Sequence, residues 1–251
     1  MAKTYIALDA EFYWDRDLHE LHKAMDPRSQ RHAVAVKRVM AASAFQFTID
    51  EEGRVSTGEI GSWSERDWVD EKGVVSKVFD YLRAHDDKPI VTYGGLATDV
   101  PILLLAGITH GLRLPPQLVV QPGRRGARPH LDLALQLKGG GRTWIHLSQL
   151  LLRMGVPFDL VAAKSTVPRP ASDGAWHNLR DHVELDCLLL AIAKIGWLRA
   201  QGTNGLRLEP AIVTLIEGFL RRRPDHNLAA ELRTYVGTLH GAIDESFDEA
   251  A

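Results

Sequence analysis

The chain has 251 residues, 45% hydrophobic and 25% charged, which is enough apolar material for one generous domain with a real core. Lys and Arg total 30 against 32 acidic residues, a net charge of −2, so no global basic field draws in nucleic acid, and any such partner is held by local patches or through metals. The single cysteine, Cys187, excludes an intrachain disulfide and a cysteine-clustered zinc site; with no apolar stretch of membrane-spanning length and no leader-like start, a cytoplasmic protein with no membrane contact is expected.

Residues 4–8 read as a buried central strand. Residues 12–38 are polar and irregular and read as a long insertion or loop. Residues 41–49 and 54–60 are strand-like, and Asp50-Glu51-Glu52-Gly53 between them is turn chemistry, so they form a β-hairpin. Over residues 64–85, Trp68, Val74, Val75, Val78, Phe79 and Leu82 recur at helical period. Residues 89–93 make a short strand that ends in Gly94-Gly95. Residues 100–106 read as a helix with Pro101 in its first turn. Residues 112–128 are rich in Pro, Gly and Arg and read as loop, and residues 130–133 open a short helix. Residues 147–154 form an amphipathic helix, residues 162–174 loop, and residues 179–199 the strongest helix of the chain. Helices over 210–220 and 227–239 follow, with a frayed acidic end at 244–251. Three antiparallel strands followed by β-α units predict a mixed α/β sheet flanked by helices.

Three acidic stations stand out. Asp9 and Glu11 lie one residue apart at the end of the first strand. Residues i and i+2 of a strand point to one face, so the two carboxylates project together and repel. A hard divalent cation relieves such a pair; two acids fraying into a loop give the same pattern. Asp99 stands after a strand and a glycine pair, at a helix start, where the helix dipole also favours an acid. His182 and Asp186 are four apart and share a helical face. Asp186 borders the apolar run from Cys187 to Ile192, where a carboxylate is costly unless paired or metal-bound. His177 and Asp181 offer a rival frame at the same spacing; the apolar run favours His182 with Asp186.

Together these stations resemble the DEDD superfamily of 3′–5′ exonucleases, which has a ribonuclease H-like fold. The set is most similar to the stand-alone predicted exonucleases that resemble the proofreading domain of family B DNA polymerases. The matching segments are Asp9-Ala10-Glu11, the stretch from Val91 through Gly94-Gly95 to Asp99 and Pro101, and His182 with Asp186. His130-Leu131-Asp132-Leu133 and the segment from Leu147 to Pro157 agree. Gly94, Gly95 and Thr98 stand where the family often has Asn-Gly and an aromatic. The histidine stands at the spacing that the tyrosine branch uses. The resemblance covers roughly residues 4–200, so residues 1–203 are expected to form the exonuclease domain and residues 204–251 a C-terminal helical extension.

The resemblance implies two divalent cations, Mg²⁺ or Mn²⁺, held by Asp9, Glu11, Asp99 and Asp186. It implies that His182 is a general base for water. The reaction implied is stepwise hydrolysis from the 3′ end of DNA or RNA, single-stranded by preference, releasing nucleoside monophosphates. Ala10, Phe12, Tyr93, Gly94 and Gly95 are the expected substrate contacts. Phe12, Tyr13 and Trp14 are candidates for stacking on a base. Arg124, Arg125 and Arg128, and separately Arg221, Arg222 and Arg223, are basic runs that meet phosphates if they are not simply solvated. The apolar spacing of Ile212, Leu215, Ile216 and Phe219, and of Leu228, Leu232 and Val236, predicts helices that pack on the domain or form a homo-oligomer surface. Two other classes stay open: a degenerate nuclease fold that binds nucleic acid or protein without cleaving, and a two-metal enzyme for small phosphodiesters.

Overall fold

A computed structural model describes residues 2–26, 28, 33–119, 129–162 and 169–248. Five strands form one mixed sheet, in the order β3-β2-β1-β4-β5. β1 (Lys3–Trp14) lies at its centre. It pairs antiparallel with β2 (Lys37–Ile49), which pairs antiparallel with β3 (Val55–Ser64). On its other side β1 runs parallel to β4 (Ile90–Thr92), and β4 parallel to β5 (His130–Asp132). Three antiparallel strands followed by parallel ones are the ribonuclease H-like arrangement expected from the sequence.

The alternation of β1 divides the core. Ile6, Leu8 and Ala10 face a layer built by α3 (Glu71–Ala84) and α4 (Asp99–His110). Tyr5 and Ala7 face the opposite layer, built around α8 (Asp173–Ala200). That layer also holds residues of α6 (Leu147–Arg153), α7 (Phe158–Ala162), α9 (Leu208–Arg222) and α10 (Ala229–Asp248). Ile212, Leu215, Ile216, Phe219 and Leu232 are buried there. Of the two roles expected for this apolar stripe, packing on the domain is the one these residues serve.

Several elements differ from the sequence reading. Residues 12–38 are no loop throughout: β1 continues to Trp14, and α1 (Arg16–Met25) follows. Phe12, Tyr13 and Trp14 favour strand and pair with Val39, Arg38 and Lys37. Asp15 then caps α1 by accepting from the Leu18 N–H at 3.0 Å, the role short acids play at helix starts. Residues 64–85 split into α2 (Glu65–Trp68) and α3. The break is Val69, in the left-handed region at φ 72°, followed by Asp70, which caps α3. Residues 130–132 are the edge strand β5, and α5 (Leu133–Lys138) starts only after Asp132. α8 begins at Asp173 rather than 179 because Ser172 accepts from the Ala175 N–H. The acidic end stays helical to Asp248. The expected loops at 112–128 and 162–174 lie partly outside the described residues.

Candidate active site

Asp9 and Glu11 continue the face of β1 that Tyr5 and Ala7 turn toward α8. A bulge follows Glu11, where the register against β2 shifts, and bulges commonly re-aim side chains at functional sites. From α8, His182 and Asp186 meet that face one helical turn apart. His182 Nε2 lies 3.1 Å from Glu11 Oε1 and 3.8 Å from Asp186 Oδ2. Glu11, His182 and Asp186 each offer a ligand atom, all within 4.8 Å of one another.

Asp99 enters from the other layer as the first residue of α4. The turn that carries it is built by backbone bonds. Gly94, at φ 75°, supplies the left-handed residue. The Ala97 and Val100 N–H groups donate to the Gly94 and Gly95 carbonyls at 3.0 and 2.8 Å. A Cβ on Gly95 would stand 2.5 Å from the Thr92 side chain, so only glycine fits there. Asp132, at the end of β5, clamps this turn: Oδ1 accepts from Gly94 N–H and Oδ2 from Leu96 N–H, both at 2.9 Å. Oδ1 also accepts from the Leu135 N–H and so caps α5.

Burial pushes the Asp99 carboxyl up to about 7, and the charges of Glu11, Asp132 and Asp186 add to it against Lys37. Asp99 therefore feels Glu11 and Asp186 electrostatically although it is not one of the three groups gathered within 4.8 Å. This crowding of carboxylates is the physical test for a cation. An oxygen-rich set with one imidazole suits Mg²⁺ or Mn²⁺, and a positive charge offsets the repulsion that keeps a proton on Asp99. The residues present fit such an ion.

The other expected site residues fall in different places. Asp9 stands outside the group of three, and its charge registers on the buried Cys187 thiol. The side chain of Ala10 packs into the opposite layer, and Phe12 packs against the same cluster. Tyr13 packs beside Met40, Ala41 and Leu179, with the Arg169 guanidinium 4.5 Å above its ring. Trp14 lies edge-on to His19. Tyr93 donates its hydroxyl to the Ile145 carbonyl at 2.6 Å.

In the rival frame, His177 is half exposed and lies 3.7 Å from Asp181 Oδ2. Asp181 itself is buried and accepts from the Asn227 N–H, so that pair faces the C-terminal helices rather than Glu11. Arg223 is spent on Glu184 and Arg222 on Thr57 and the Gly218 carbonyl. Arg124, Arg125 and Arg128 lie outside the described residues. Asp132 and Lys37 are the neighbours of Asp99 that the sequence reading did not place in the site. For Asp132 the signal was present in His130-Leu131-Asp132-Leu133, an acid after a short apolar stretch and before a helix.

No family model matches the chain, and no curated protein does. Among solved structures it is similar to exonuclease I in its apo form, with 12% identity, a TM-score of 0.41, and 62% of this chain and 38% of that one covered. It is also similar to the family B DNA polymerase from the hyperthermophilic archaeon Pyrobaculum calidifontis, at 15% identity and a TM-score of 0.44, covering 88% of this chain and 29% of that one. The zinc-bound complex of E. coli exonuclease I with single-stranded DNA matches at 12% identity and a TM-score of 0.41, covering 79% and 42%. The chain thus spans less than half the length of each of these proteins. At such identities and scores the likeness says nothing about chemistry.

Proposed function

We propose that the chain is a metal-dependent 3′–5′ exonuclease that hydrolyses the terminal phosphodiester of single-stranded DNA or RNA and releases nucleoside monophosphates. The observation that carries this reading is the convergence of Glu11 from β1 with His182 and Asp186 from α8, within 4.8 Å of one another, beside the crowded carboxyl of Asp99. Residues 1–203 are the proposed catalytic unit.

Glu11, Asp99 and Asp186, joined by Asp9 at the same strand face, would hold two divalent cations. Bound there, the cations supply Lewis-acid stabilisation of charge on the phosphoryl oxygens. The rest falls to the chain. His182 Nε2 is within hydrogen-bond reach of the Glu11 carboxylate, so it also reaches a water held at that carboxylate. It takes the water's proton as the oxygen attacks phosphorus in line. The bond to the 3′-oxygen of the preceding nucleotide breaks, and that oxygen is protonated from solvent. Gly94, where a Cβ would meet nothing within 4 Å, leaves backbone open to the terminal nucleotide.

A second reading, a binding module without cleavage, is favoured by the position of Asp9 outside the group of three. Incubation with 5′-labelled single-stranded DNA and RNA, with Mn²⁺ or with chelator, separates the two. The nuclease gives a ladder shortening from the 3′ end that chelator and Glu11→Gln abolish and that His182→Ala slows about 10²–10⁴-fold. Tight Mn²⁺-independent binding of the oligonucleotide with no ladder supports the second reading.

A further inference from the structure

α8 carries two fully buried carboxylates that flank His182: Asp181 at 1% exposure and Glu184 at 0%. Buried charge is costly unless paired; His177 and Arg180 of α8 lie 3.7 Å from the Asp181 carboxylate, and both acids also accept from one short segment, the connection between α9 and α10. Arg223 Nε donates to Glu184 Oε2 at 2.7 Å, and the Ser62 hydroxyl donates to the other oxygen. His226 Nε2 donates to the Asp181 carbonyl at 2.9 Å. The Asn227 N–H donates to Asp181 Oδ2 at 3.0 Å. His226 is itself buried, its Nδ1 accepts from the Leu228 N–H at 3.1 Å, and its ring lies edge-on to Phe219. Both imidazole nitrogens are therefore used, and the neutral tautomer with its hydrogen on Nε2 is the one these two bonds require.

We infer that the α9–α10 connection positions the His182 turn of α8, with Arg223, His226 and Asn227 as positioning residues for the reaction proposed above. The inference rests on that reading of His182. The residues before and after the imidazole are anchored to the same short connection, so α8 can neither rotate nor slide at this turn without breaking buried hydrogen bonds. His182 reaches Glu11 across a gap of 3.1 Å. A displacement of about 1 Å in such a constellation costs up to about 10²-fold in rate. The segment beyond the catalytic unit thereby acts on chemistry without touching substrate.

The test uses the full chain, metal-free, with isotope-labelled histidine. The His182 ring signal is assigned by its loss in His182→Asn. His226→Phe keeps an aromatic ring against Phe219 but removes both hydrogen bonds. The His182 signal is expected to shift and broaden. In the Mn²⁺-loaded protein, kcat is expected to fall about 10- to 100-fold with KM within about twofold. His226→Gln, which retains a donor at the Nε2 position, is expected to restore most of both. Arg223→Met combined with Glu184→Gln removes the ion pair without stranding a buried charge, and gives the same signature if His226→Phe does not fold. An unmoved His182 signal in these folded variants, with kcat near wild type, overturns the inference. The ring signal is read without metal or substrate. A wild type that cleaves nothing therefore defeats the nuclease reading while the spectrum still decides the brace.

Discussion

Asp99 keeps its proton into the neutral range, up to about 7, because of its burial and its acidic neighbours. An unfolded aspartate titrates near 3.9. Between those values the folded chain holds more protons than the unfolded one, so stability falls as pH rises from about 4 to about 7. In chelator, Asp99→Asn is expected to stabilise the protein at pH 7.5 by on the order of 2 kcal/mol. The gain should shrink toward pH 5. Denaturant midpoints at the two pH values measure it, and an equal gain at both would show that crowding is not the cause. The same variant loses cleavage if Asp99 holds metal, which separates a functional cost from a structural one.

Lys194 shows the opposite sign. It is 2% exposed on α8, its ammonium lies 5.0 Å from the Tyr5 ring centroid, and it makes no ion pair among the described residues. Burial, with the nearby charge of Lys3, lowers its amine to about 8, below the unfolded value near 10.4. The unfolded chain then binds more protons between these values, so this group's contribution makes stability rise with pH from about 8 to about 10.4. Lys194→Met removes that rise. It is also expected to add on the order of 1–3 kcal/mol at pH 7, the worth of a shift of this size. Thermal unfolding of both proteins across this range checks the slope; parallel curves would refute the assignment.

At the scale of elements, the turn from Thr92 to Asp99 depends on an acid 38 positions from Gly94. Asp132→Ala deletes acceptors for three N–H groups, those of Gly94, Leu96 and Leu135. Charged hydrogen bonds and a cap of this kind predict a loss of about 2–4 kcal/mol. Asp132→Asn keeps one acceptor oxygen and is expected to lose less stability while still displacing Asp99 and slowing cleavage. Urea titrations and single-turnover rates on the pair decide this, and an Asn variant equal to wild type in both would show that the clamp is dispensable.

This long-range dependence explains what could be read from sequence. The i, i+2 spacing of Asp9 and Glu11 and the i, i+4 spacing of His182 and Asp186 are local, and periodicity placed each pair on one face of its own element; that the two faces meet was only implied by the family resemblance. The mixed sheet with three antiparallel strands followed from a hairpin and β-α units. β5 escaped notice because only Leu131 of its three residues is apolar, and it exists by pairing with β4. α1 escaped because its composition is polar. It is fixed by its Asp15 cap and by Arg38, which donates to both Asp15 and Glu71. Asp9 shows the limit of spacing: sharing a face with Glu11 did not bring it into the group with His182 and Asp186.

At the scale of the whole molecule, the question is whether residues 204–251 are an appendage or part of the fold. α9 lies so close to β3 that a Cβ on Gly218 would stand 2.2 Å from Thr57 Oγ1. Ile212 is 1% exposed, and Leu215, Ile216, Phe219 and Leu232 are 0% exposed. Burying side chains of this size contributes about 1.5–3 kcal/mol each, so these five alone supply about 7–15 kcal/mol gross, an upper figure because unfolded chains already bury some apolar surface. A domain has only about 5–15 kcal/mol in total. Removing the helices also takes Arg223 from Glu184, and stranding one partner of a buried pair costs about 3–5 kcal/mol. Both losses are of the size of a whole domain's stability, although the entropy no longer lost in ordering the two helices offsets part of them. A chain ending at Gly205 is therefore expected to lose cooperative thermal unfolding and to aggregate through the exposed face of α8, although it retains Asp9, Glu11, Asp99, His182 and Asp186. Calorimetry and sedimentation of the truncated chain test this. A soluble monomer with a sharp transition near that of the full chain would show that the ribonuclease H-like unit stands alone.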